Sequence, residues 1–202
     1  MQKFSLILVA IITIWVALGA QVKPTITDSY NAESARNYSR ALEIMQSLSG
    51  NNGQDEFYIL RIAWLQYLMG NYNEALKDYQ KSNSIFPTQD AQIGILNCLL
   101  AMSKWTDALA YADVILKQYP QNTTVMSKAA YAAYMKQDYK TTADYYLAII
   151  NITPWDMEAR GYLVNNLYLS KDVTNAKKHY QKLVKYYPDS PIVKEYATIL
   201  GQ

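Results

Sequence analysis

Few residues in this chain could carry out chemistry, and their spacing does not support it. Cys98 is the only cysteine and His179 the only histidine. A catalytic thiol needs a base within hydrogen-bond reach, and a catalytic or structural metal needs several ligands at fixed spacing, such as HxxxH or HExxH. Neither pattern occurs. The seven glycines are scattered and none forms a phosphate-cradling loop after a strand. Asp55–Glu56 and the Asp156/Glu158 pair cluster where helices would begin, and the positive end of a helix dipole accounts for acidic residues there. The sequence therefore predicts no catalytic residue, no cofactor and no metal, hence no enzyme. What it offers instead is tyrosine, 19 residues against three phenylalanines. Tyr can fill packing slots whose hydroxyl reaches solvent, or it can line a binding groove.

The elements that must position these side chains are set by a period. Pro87, Pro120, Pro154 and Pro188 are separated by 33, 34 and 34 residues. Twelve residues before each stand Ala75, Ala108, Thr142 and Ala176; eight before stand Tyr79, Ala112, Tyr146 and Tyr180. Small residues recur where two helices would cross closely, with larger apolar ones a turn away, which suits helix pairs and not strands. Each helix would be about a dozen residues, too short to be stable alone, so folding depends on stacking. Cys98 and His179 fall in different repeats at slots facing different directions. Asn71 with Glu74 forms a capping-box pattern, Asp138 and Asp172 occupy the equivalent slot, and Ser190-Pro191 predicts a last helix at about 191–200.

The stretch EFYILRIAWLQYLMGNYNEALKDYQKSNSIFP (56–87) resembles the tetratricopeptide repeat at Gly70, Tyr72, Ala75, Tyr79 and Pro87. The copies after it match more loosely, and NYSRALEIMQSLSG (37–50) aligns Tyr38 with Tyr72 and Ala41 with Ala75. Departures are Thr142, Ala112 where a large aromatic is usual, and the scarcity of glycine in the inter-helix turns. The resemblance implies an all-α fold, a right-handed α-solenoid of about five helix-turn-helix repeats (about 22–55, 56–88, 89–122, 123–156 and 157–190) with a capping helix at 191–200. It also implies that the first helix of each repeat lines a concave, peptide-binding groove. Rows of equivalent slots then fall along that groove: Trp64, Asn97, Tyr131 and Asn165 in one, Tyr67, Leu100, Tyr134 and Tyr168 in the next. Arg61 and Lys128 share a neighbouring slot and could meet an acidic group. Aromatics bring contact area at low entropic cost, and Asn97 and Asn165 can pair with an extended backbone. The lysines of a carboxylate clamp are mostly replaced, by Leu60, Leu68 and Ile93.

Residues 1–20 differ in kind. A short basic start precedes an apolar run ending in small residues, which reads as a signal peptide, or alternatively as a membrane anchor over residues 4–20. Without them the chain keeps 18 basic and 17 acidic residues, so no electrostatic argument favours nucleic acid. Residues 21–202 then form one repeat domain of an exported, bacterial-envelope protein. The expected function is a scaffold that holds a protein or peptide partner in its groove; the alternative is a self-associating structural module, a homo-oligomer.

Overall fold

A computed structural model describes residues 23–50 and 54–201. The expected signal peptide or anchor lies outside the described residues. The described residues contain twelve helices and no strand. Five pairs run α1 (Ile26–Ser34) with α2 (Tyr38–Ser49), α3 (Glu56–Leu68) with α4 (Tyr72–Ile85), α5 (Gln89–Ala101) with α6 (Trp105–Gln118), α7 (Thr123–Met135) with α8 (Tyr139–Ile152), and α9 (Met157–Leu169) with α10 (Val173–Tyr186). The fold is an all-α solenoid of helix pairs. From α3 onward the first helices begin at intervals of 33, 34 and 34 residues, the spacing of the prolines.

Local chemistry sets the boundaries. Asp55, Thr88, Asn122, Asp138, Asp156 and Asp172 each accept a backbone N–H of the first turn of the helix they precede, filling donors that the helix leaves unpaired. Asn71 departs from its capping-box pattern: it occupies the N-cap without a side-chain bond. The pair-internal turns share one geometry. At Asn71, Lys104, Asp138 and Asp172 the backbone N–H returns to a carbonyl five residues back, and the residue before each is left-handed. That is the Schellman closure. Gly70 supplies it once; Ser103, Gln137 and Lys171 supply it elsewhere, as does Arg36 in the first pair.

Packing then follows the small residues. The largest core cluster runs from α3 to α7 through Ala63, Ala75, Leu96, Ala108, Ala112 and Ala129. Thr142, in an alanine slot, is buried and satisfied: its hydroxyl donates to the Asp138 carbonyl at 2.8 Å. First helices touch across repeats, α3 on α5 and α5 on α7, whereas no two second helices pack comparably. The first helices therefore form the tighter, inner layer of the stack.

The expected last helix is divided. Pro191–Glu195 (α11) and Ala197–Leu200 (α12) are separated at Tyr196. The break lets Tyr196 turn inward, where its ring meets Tyr168 and its hydroxyl donates to Asn165 at 2.6 Å. Tyr196 and Leu200 join Val164, Ala176 and Leu183 in the terminal core. Ile192 packs so near Gly161 that a Cβ there would lie 3.3 Å from it.

Candidate functional site: the face of the first helices

The nine side chains singled out from the sequence all lie on the first helices α3, α5, α7 and α9. They divide into two occupied ends and an open middle.

At the N-terminal end, Glu33 of α1 closes the row. Its carboxylate pairs with the Arg61 guanidinium and accepts the Trp64 indole N–H at 2.7 Å. Arg61 also sits 4.8 Å over the Tyr30 ring. Trp64 stacks on Tyr67 with centroids 5.9 Å apart, and Tyr67 tilts against Tyr72. Burial pushes the Tyr67 hydroxyl above its ordinary pKa. The acidic group expected for Arg61 thus belongs to the chain itself. The inter-helix turns show why: aligning Arg36 with Gly70 places Glu33 in the slot of Tyr67 and Tyr30 in that of Trp64. At the C-terminal end, Tyr196 takes Asn165 and Tyr168 in the same manner.

The middle is different. Tyr131 and Tyr134 are 48% and 42% exposed. Tyr131 lies edge-on to Trp105 and Tyr134 edge-on to Tyr139. Lys128 is half-buried, and burial lowers its pKa. Among the described residues no carboxylate pairs with it. Lys128 and Tyr131 border a shallow hollow with Leu100, Thr124 and Ser127. Leu100 stands there in the slot that Glu33 fills two repeats earlier, which is why Lys128 lacks the acid that Arg61 has.

A second opening was not expected. Between α3 and α5 lies a cavity of about 460 Å³ lined by Leu60, Trp64, Tyr79, Ile93, Gly94 and Asn97. Gly94 makes it possible, because a Cβ there would fall 2.3 Å from the Tyr79 ring. The signal was present in the sequence: Gly94 shares the slot of Arg61 and Lys128, one of the few glycines inside a helix. The equivalent pairing differs between repeats: Tyr79 meets Gly94, whereas Tyr146 stacks on Tyr162 with centroids 5.1 Å apart.

Catalytic placement is poor. Cys98 is fully buried, and burial raises its thiol to about 12. His179 lies on α10 and is half-buried, with Nδ1 3.1 Å from Arg160. Among the described residues no three His, Cys, Asp or Glu side chains cluster as metal ligands, and no helix is long and apolar enough to cross a membrane.

Paired helices in a single stack, with an open row on the inner layer, define the helical-repeat class whose members act through their surfaces. A tetratricopeptide repeat family model matches residues 58–88 and 162–190. Those two stretches carry the tetratricopeptide repeat, a helix-pair unit that commonly serves as an interaction module. No curated protein matches the sequence. Solved structures share the fold at low identity. A tetratricopeptide repeat protein from Parabacteroides merdae aligns at 15% identity over 87% of this chain and 70% of its own, with a TM-score of 0.72. MamA from Desulfovibrio magneticus aligns at 13% identity over 82% and 94%, with a TM-score of 0.69. YrrB, described as having an unusual peptide-binding site, aligns at 12% identity over 86% and 90%, with a TM-score of 0.68.

Proposed function

We propose that the protein is an envelope scaffold that holds an extended segment of a partner protein along the middle of its inner face. One observation carries this reading. The chain fills both ends of the row with its own Glu33 and Tyr196, yet leaves Asn97, Lys128, Tyr131 and Tyr134 without such a cover. The Gly94 cavity beside them is walled by Leu60, Ile93 and Trp64, with Arg61 and Asp90 also bordering it, and takes a side chain that is mostly apolar. Asn97 supplies a donor and an acceptor to a passing backbone. Tyr131 and Tyr134 supply flat contact area with polar tips. The peptide-binding site for which YrrB is described supports the same use of this fold. The envelope assignment rests on the apolar run of residues 4–20.

Crosslinking the tagged full chain in cells and identifying what it holds tests the first part. Replacing Tyr131 and Tyr134 together with Ala should weaken capture about tenfold or more, on the scale of a lost aromatic anchor, while helicity stays intact. Undiminished capture refutes the groove assignment. Fractionation of the same cells tests the location; recovery in the cytoplasm refutes it.

A second reading is self-association. The turns that end the second helices expose Phe86 (60%), Trp155 (71%) and Tyr187 (51%) along one edge. Isolated apolar residues are ordinary on a surface, but Trp155 and Tyr186 meet edge-on at 5.4 Å and expose two joined rings. Mass measured over a range of concentrations distinguishes the two; a strict monomer excludes this reading.

A further inference from the structure

On the outer side of the stack, the second helices α8 and α10 stand apart over α9 and leave a cleft of about 470 Å³. Leu147, Leu163 and Leu167 give it an apolar floor, and Lys178 and His179 stand at its α10 wall. Behind His179 lies Arg160 of α9, only 4% exposed.

Arg160 is an anomaly. Its slot holds Ile59, Gln92 and Met126 in three other repeats, all buried, and none of them charged. Among the described residues no carboxylate pairs with it. Nη2 donates to the Pro154 carbonyl at 2.6 Å, Nη1 lies 3.1 Å from His179 Nδ1, and Nε has no partner. The end of α8 offers a partial negative charge, but a full cation remains without a counter-ion. Leaving a buried charge in that state is costly.

The guanidinium also fixes the imidazole. It has donors only, so Nδ1 of His179 must accept, and the ring proton resides on Nε2. Burial and the nearby cations Arg160, Lys182 and Lys178 hold the His179 pKa down at about 4. The ring is therefore a neutral donor, polarised from behind, and its Nε2–H has no partner among the described residues.

We propose that the cleft between α8 and α10 binds a carboxylate carried on an apolar body, with His179 Nε2–H and Lys178 as its donors and Arg160 as the buried counter-charge. Asp144 and Asp172 also border the cleft. Asp144 is engaged by Lys140 at 2.9 Å and Asp172 by the start of α10. Their charge disfavours a dianion such as phosphate and leaves room for a single negative charge. The apolar floor accommodates methylenes or leucine side chains next to it. The carboxylate can come from a free aliphatic acid or from an acidic residue flanked by leucines on a partner protein.

Nitrogen NMR of the His179 ring in the full chain, titrated with two probe pairs, tests this. The first pair is hexanoate against hexanamide. The second is a capped peptide with a central Leu-Glu-Leu against its Gln counterpart. The expected result is a shifted Nε2 resonance and about tenfold tighter binding of the charged member, the scale of one charge-assisted hydrogen bond. His179→Phe should abolish the preference, and His179→Gln, which keeps an N–H donor, should retain part of it. A response to hexanoate supports a free acid as the source, and a response to the peptide pair alone supports a partner protein. Equal binding within both pairs, or a preference that survives His179→Phe, overturns the proposal. Neither outcome touches the groove, which the Tyr131 and Tyr134 variant tests separately.

Discussion

The inter-helix turns allow a stability change to be worked out from backbone geometry alone. Ser103, Gln137 and Lys171 adopt φ of 57, 61 and 70°, where an L side chain is strained. The left-handed conformation costs roughly 1–2 kcal/mol for a residue with a Cβ. Glycine removes that strain but loses about 0.5–1 kcal/mol through the greater freedom of its unfolded chain. The net gain is about 0.5–1 kcal/mol per turn. All three residues are exposed, so little packing is lost. They lie in separate repeats, and distant sites add. Ser103→Gly, Gln137→Gly and Lys171→Gly together should stabilise by about 1.5–3 kcal/mol and raise the Tm by about 3–12 °C. Thermal and urea melts followed by circular dichroism read this directly. The control is Gly70→Ala, at φ 81°. A Cβ there meets nothing within 4 Å, so its expected loss of about 1 kcal/mol is conformational. If the three glycines leave the melt unchanged and Gly70→Ala costs nothing, the strain argument is refuted.

Three further outcomes are expected. Gly94→Ala forces a Cβ against the Tyr79 ring and should cost about 1–3 kcal/mol as overpacking; a Tyr79→Leu background should recover most of that loss in urea melts. Glu33→Gln leaves Arg61 without its carboxylate and should loosen α1 by about 1–2 kcal/mol, on the scale of a lost charged hydrogen bond, read as faster hydrogen exchange over Ile26–Ser34 and a change in Trp64 emission. Because the folded pKa of His179 is about 4 and its ordinary value 6.5, the unfolded chain binds more protons between them. Stability should therefore be fully present above pH 6.5 and fall as pH drops toward 4. His179→Phe should flatten that part of the profile relative to the parent chain.

The period made the helix pairs legible because small residues recur at the crossing, Ala75, Ala108, Thr142 and Ala176, at nearly one spacing. The same rows brought Trp64, Tyr67, Asn97, Tyr131, Tyr134, Asn165 and Tyr168 onto the first helices. Which of them stay uncovered was not legible. Glu33 and Tyr196 decide it, and both lie in terminal segments outside the cleanest repeats. The alignment of Tyr38 with Tyr72 already puts Glu33 in the Tyr67 slot, but its reach to Arg61 and Trp64 depends on distances between helices. Arg160 was detectable as a charge in a row that Ile59 and Met126 share, but its bond to His179 depends on the distance between α9 and α10, which spacing along the chain does not encode. The break at Tyr196 reflects a tertiary preference, a tyrosine seeking Asn165, over the local tendency to continue the helix.

Closure of both ends of the inner row fixes a length. Neighbouring first helices stand about 10 Å apart, so the row from the Glu33 plug on α3 to the Tyr196 plug on α9 spans three steps, roughly 30 Å, about nine residues of extended chain. On the proposed reading, the Glu33 and Tyr196 contacts at the two ends favour a segment that enters and leaves from the side. An internal loop can do this as readily as a chain terminus. On the proposed scaffold reading, the row suits a short stretch from the middle of a folded partner, and capture should stop strengthening once that stretch exceeds about nine residues.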